Sequence, residues 1–137
     1  MKGDIQKDIA LFCAGGLSYA GLELLWRQRT HWSMVLTGGA CFLCLYKLYE
    51  KHPNLSTAEN CVLGSCIVTG IEFAVGCVVN LMLGWRVWDY SSMPMNLLGQ
   101  VCLLYSVLWG ALCIPISIAC RRIRALIESM QKKKART

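Results

Sequence analysis

Twenty-five residues from Cys61 to Trp85 pass with a single formal charge, Glu72, and eighteen from Ile9 to Trp26 with a single one, Glu23. A helix that crosses the hydrocarbon core of a bilayer needs about 20 mostly apolar residues. Four segments approach or exceed that length: 9–26, 32–49, 61–85 and 95–120. Lys47 shortens the charge-free stretch of the second, although a lysine near a helix end can extend its ammonium to the interface. The rest of the composition agrees, since 55% of the 137 residues are hydrophobic and 16% charged, against about 25% charge in an average soluble protein. A soluble domain this small cannot enclose so much apolar surface. Disorder, collagen-like repeats and a secreted disulfide scaffold are excluded as well.

The sequence therefore predicts an all-α, integral membrane four-transmembrane-helix bundle. It forms one domain, 1–120, followed by a basic cytoplasmic tail, 121–137. Lys2 and Lys7 precede the first apolar run as in a signal peptide, but Asp4 and Asp8 in that region and Glu23 near its end predict a retained span. Lys and Arg counted by side give eleven for the N-terminus, the middle loop and the tail, and three for the other two loops. By the positive-inside rule both termini are cytoplasmic. No connection is long enough to hold a soluble domain, so activity must come from residues in or at the membrane.

Seven of the nine cysteines fall inside the apolar runs and read as small, soft packing residues. Cys41 and Cys44 have CxxC spacing without a second pair or a nearby histidine, so neither a metal nor a cofactor is expected.

The two halves resemble each other. At an offset of 59, Leu22, Leu24, Trp26, Arg27, Ser33, Met34, Leu45 and Tyr46 fall on Leu81, Leu83, Trp85, Arg86, Ser92, Met93, Leu104 and Tyr105. Two tandem helix-turn-helix units of the same orientation would follow, related by an axis along the membrane normal.

Polar residues within the spans single out the candidate site. Glu72 lies near mid-span, where insertion scales charge about 2.5 to 3.5 kcal/mol for an ionised group, so it should face the bundle interior, be protonated or meet a partner. Gly76, Asn80 and Gly84 continue from it at spacing four. That stripe reads either as a close-packing face with Asn80 bridging helices or as the wall of a hydrated cavity. Glu23 and Arg27 form an i,i+4 pair in the favourable order. Beyond them lie His31 and Trp32, and the matching turn of the second half carries Arg86, Trp88, Asp89 and Tyr90. Tryptophans and tyrosines are expected there as an interfacial belt, but His31, Asp89 and the arginines beside them form a cluster able to recognise a phosphate, carboxylate or ammonium group. Asp89 is expected to pair with Arg27 or Arg86. Pro94 should open the fourth helix, which then presents Asn96 and Gln100, while Pro115 should loosen or kink its inner end. The tail reads as a contact for anionic lipid, with no nucleic acid implied.

Three motifs stand out: E-x2-WR-x2-THWSM-x3-GG from Glu23 to Gly39, T-x2-E-x3-G-x3-N from Thr69 to Asn80, and VWDYS-x2-P-x-N-x2-GQ from Val87 to Gln100. Across most of residues 15 to 110 the chain resembles the bacterial ABC-transporter type IV family, also called CmpB-like. The resemblance implies a small four-helix membrane protein with Glu23, Arg27, His31, Ser33, Glu72, Asn80, Asp89, Tyr90, Ser91, Asn96 and Gln100 on motif positions. The chain carries no G-x4-GK[ST] phosphate loop, so any ATP coupling would need another chain.

These residues predict a transport or permease-like component that moves a small solute, ion or lipid past Glu72. Its expected partners are membrane lipids, a second copy of itself, and a separate membrane or ATPase subunit. Two alternatives stay open. One is a membrane-embedded enzyme acting on lipid or isoprenoid headgroups, with His31 or Asp89 as acid or base and Arg27 and Arg86 as anion clamps. The other is a noncatalytic accessory subunit.

Overall fold

The computed structural model describes residues 2–135. Four helices dominate: α1 (Lys2–Arg27), α2 (Trp32–Lys51), α3 (Thr57–Gly76) and α4 (Leu103–Lys134). A π-helical segment (Cys77–Met82) continues α3, and two short strands, β1 (Asn96–Leu97) and β2 (Val101–Cys102), precede α4.

The helix starts are written locally. His31 is extended, and its ring Nδ1 accepts the Ser33 backbone N–H at 3.3 Å, which caps α2. Such a cap satisfies one of the donors that the first turn leaves without partners. Ser56 and Glu59 form a reciprocal capping box at α3. That box starts the helix before Cys61, the first residue of the predicted span, because capping draws on polar residues that an apolar count passes over.

The helices pair as two hairpins, α1 with α2 and α3 with α4, and α2 also packs on α3 and α4. Small residues set the α1–α2 distance. A Cβ added at Gly38 would collide with Cβ of Tyr19, and one at Gly15 with Cβ of Phe42. The central helix α2 buries Cys41, Leu45, Tyr46 and Tyr49 in the main core, where Val68 of α3 and Cys113 and Cys120 of α4 meet them. Large apolar groups cover the outside instead: Leu25 is 87% exposed, Met82 78% and Leu17 69%. An exterior of this kind requires a nonaqueous surrounding.

Three helical stretches are long and apolar enough to cross a membrane: Asp4–Arg27, Thr57–Met82 and Leu103–Lys133. α2 is not among them. Its central place explains its tyrosines, because Tyr46 and Tyr49 are buried against protein, while Lys47 stays exposed and pairs with Asp8.

The segment from Met95 differs from the helix predicted there. Residues 88–102 form a folded loop in which Asn96 pairs with Cys102 and Leu97 with Val101, and α4 begins at Leu103. Met95, Leu98 and Gly99 have φ of 54°, 52° and 69°, a conformation that cannot continue a right-handed helix. Pro94 therefore does not open α4. The Asn96 side chain accepts from Gly99 N–H at 2.9 Å and donates to Met93 O at 2.8 Å, offering the backbone an alternative to helix. α4 runs through Pro115 without interruption and carries most of the basic tail as helix. Arg136, counted with that tail, lies outside the described residues.

Ser92 and Met93 sit in a turn, whereas Ser33 and Met34, which they match in sequence, are helical. Gly84 also leaves the predicted stripe: it follows the π segment with φ of 66°, and a Cβ there would meet nothing within 4 Å.

Candidate functional site

Glu72 is 4% exposed on the inward face of α3. It accepts a hydrogen bond from Trp109 Nε1 of α4 at 2.8 Å and one from Tyr19 Oη of α1 at 3.3 Å. The two donor rings stack with centroids 5.7 Å apart. One carboxyl group thus joins three helices. Burial without such donors would be costly, and both donors are neutral. Nearby, Ser65 Oγ donates to Ser106 O at 2.6 Å and Thr69 Oγ1 to Ser106 Oγ at 2.9 Å, which fixes α3 against α4.

On the other side of the Tyr19–Trp109 pair lies a cavity of about 380 Å³ between α1 and α4. Leu22 and Trp26 line it from α1, and Tyr105, Leu108 and Leu112 from α4. Tyr90 of the folded loop stacks on Tyr105, centroids 4.7 Å apart, and closes one side. Glu23 and Arg27 supply its charged groups. Burial raises the Tyr90 hydroxyl above the usual phenol range, aided by the negative charge of Glu72. A volume of this size falls within the range of small-molecule pockets.

The predicted Glu23–Arg27 pair is present, with Arg27 Nη1 2.9 Å from Glu23 Oε1. Glu23 is 7% exposed and also accepts from Thr30 Oγ1 at 2.7 Å. Arg27 Nη2 donates to Val87 O at 3.1 Å and so joins the end of α1 to the segment before the folded loop. The carbonyl, rather than Asp89, takes that arginine. Asp89 accepts from the Ser91 hydroxyl and, at 2.8 Å, from the Ser91 backbone N–H. The Ser91 hydroxyl, then its N–H, and then the charge of Arg86 hold the Asp89 carboxyl below its ordinary range.

The remaining predicted residues fall into two groups outside the cavity. Asn80 Nδ2 donates to Gln100 Oε1 at 2.8 Å, and Asn80 Oδ1 accepts Val87 N–H at 2.7 Å. Gln100 Nε2 donates to Leu98 O, and Trp88 Nε1 to Gln100 O, each at 2.8 Å. With Asn96, these amides tie the folded loop to the π segment and to itself. His31 lies among Trp32 and Trp85, 5.5 Å from each by ring centroids, and Arg86 is exposed. Neither His31 nor Asp89 lines the cavity.

Eight wall residues escaped the sequence reading as candidates, among them Tyr19, Tyr105 and Trp109. Spacing carried the missing signal. Tyr19, Glu23 and Arg27 recur every four residues, as do Tyr105 and Trp109, so each set shares one helix face.

Among the described residues, no His, Cys, Asp and Glu side chains are grouped to hold a metal ion. The family model described as "Putative ABC-transporter type IV" matches residues 30–136. The chain belongs to this family. No curated protein and no solved structure matches it. Membership together with the apolar helices makes this an ABC-transporter-related membrane protein. The type IV match includes Glu72, Tyr90, Tyr105 and Trp109, and it starts after the α1 wall formed by Tyr19, Glu23 and Arg27.

Proposed function

We propose that the chain is a permease-like subunit that takes an amphipathic small molecule from the bilayer into the α1–α4 cleft. The observation that carries this reading is the cleft wall, which is apolar along most of its length with Glu23 and Arg27 beside Tyr90, and with Glu72 behind the Tyr19–Trp109 pair. An apolar body would replace lipid against Leu22, Leu108 and Leu112, and a polar group would meet the charged end. Glu72 becomes the intramembrane contact once Tyr19 or Trp109 rotates away. The site set on this reading is Glu23, Arg27, Tyr90 and Glu72. Asn80, Trp88, Asn96 and Gln100 hold the loop that carries Tyr90, and His31, Arg86 and Asp89 shape the outer turns.

The same reading has α2 as a fourth span, with the two hairpins as parallel repeats and both termini cytoplasmic. Its twenty residues rise about 30 Å, the thickness of the hydrocarbon core. Ion pairs at the predicted inner end support this, Lys47 with Asp8 at 2.6 Å and Lys7 with Glu50 at 3.0 Å. A separate ATPase would supply energy, and a second copy of the chain is the other expected partner. An enzyme built on His31 or Asp89 is disfavoured, because neither group touches the cavity.

The test uses a neutral alkyl chain bearing an environment-sensitive fluorophore. Saturable binding to the purified protein is expected, abolished by Ala111→Trp, which fills the cleft from a wall position on α4. In proteoliposomes Glu72→Gln should slow its uptake. Binding unchanged by Ala111→Trp would remove the cleft from the mechanism.

A further inference from the structure

From the aromatic walls of the cleft, we infer that its ligand is a bulky, apolar organic cation. This inference rests on the cleft being the substrate site. Five aromatic side chains border the cavity: Tyr19, Trp26, Tyr90, Tyr105 and Trp109. Four of them form two stacked pairs, Tyr19 with Trp109 and Tyr90 with Tyr105. Aromatic rings carry negative charge on their faces, so a set of them around a desolvated pocket attracts cations and disfavours anions.

The charged groups of the wall do not oppose this preference. Arg27 would attract an anion if it were free, but its guanidinium is engaged by Glu23 Oε1 at 2.9 Å and Val87 O at 3.1 Å. Glu23 and Arg27 therefore cancel. Glu72 does not line the cavity: its carboxyl lies behind the Tyr19–Trp109 pair, which bonds it through an indole N–H and a phenol. That leaves the aromatic wall to set the preferred sign. A small inorganic cation is not a match, because leucine and aromatic walls cannot replace its hydration shell. An organic cation carries its own apolar surface into the site and needs no oxygen cage.

Tetraphenylphosphonium and tetraphenylborate are near-isosteres of opposite charge, so they separate the sign of the field from the shape of the pocket. Equilibrium dialysis against the full-length protein in nanodiscs should give saturable binding of the phosphonium, tighter than the borate by about tenfold. Tyr90→Leu with Tyr105→Leu should weaken phosphonium binding by about tenfold. Tyr90→Phe with Tyr105→Phe keeps both ring faces and should retain it. Equal or tighter binding of the borate, or full binding by the leucine pair, would overturn the cation preference while the neutral amphiphile still binds. Loss of saturable binding for both ions and for the neutral amphiphile would overturn it together with the reading of the cleft.

Discussion

Trp109 Nε1 stands 2.8 Å from Glu72 Oε2, so an indole on α4 holds a carboxyl group buried on α3. The same indole stacks on Tyr19, the other donor to that carboxyl. Trp109→Phe keeps the ring and removes the donor. It should lower stability by about 1 to 3 kcal/mol, the cost of leaving a buried polar group without its partner. Thermal unfolding in detergent checks this, and the effect should shrink in a Glu72→Gln background, because residues in one hydrogen-bond network are not additive.

Gly38 abuts the Cβ of Tyr19, close to the backbone where nothing can swing aside. Gly38→Ala should destabilise by about 1 to 3 kcal/mol through overpacking and should displace Tyr19 from Glu72. Gly70→Ala is the comparison, since a Cβ there meets nothing within 4 Å. Melting temperatures of the two variants should differ in the sense that only the first falls.

His31 acts as a helix cap in this fold, accepting Ser33 N–H through Nδ1. Replacement by Asn should preserve both stability and amphiphile binding. Replacement by Ala should cost about 0.5 to 2 kcal/mol. An unfolding series with both variants checks the pair, and a loss of binding in the Asn variant at full stability would instead assign His31 a chemical role.

Asp89 is held below its ordinary value by Ser91 and Arg86. A carboxyl depressed in the folded state stabilises the fold above its unfolded pKa of about 3.9, and that stabilisation is lost as pH falls through the lower folded value. The Ser91 N–H bond should therefore survive acidification to the ordinary aspartate range and open only below it. Amide exchange at Ser91 measured against pH reports the midpoint, and Asp89→Asn should abolish the pH dependence.

An ionised group facing lipid is too costly, so the sequence required Glu72 to turn inward, be protonated or meet a partner, and it lies inside with two partners. The sequence also paired Glu23 with Arg27, because four residues make one helical turn. Spacing of this kind marks the helix face of each wall but not which faces meet. Tyr19 and Trp109 are ninety positions apart, and only the packing of both hairpins around α2 brings their rings together. The folded loop was misread for a different reason. Pro94 suits a helix start, but the backbone at Met95 and Leu98 and the hydrogen bonds of Asn96 decide otherwise. α2 met the length of a span in sequence, yet its central burial, visible at Tyr46 and Tyr49, appears only in three dimensions.

That burial bears on how the protein is made. On the four-span reading, a segment carrying tyrosines and a lysine is a weak candidate for entering the bilayer by itself as it leaves the ribosome. The glycine-to-aromatic contacts with α1 give it a ready companion, so biogenesis would proceed by lateral release of a preassembled hairpin, and a lesion at that seam would strand α2 before any transport step existed to be impaired.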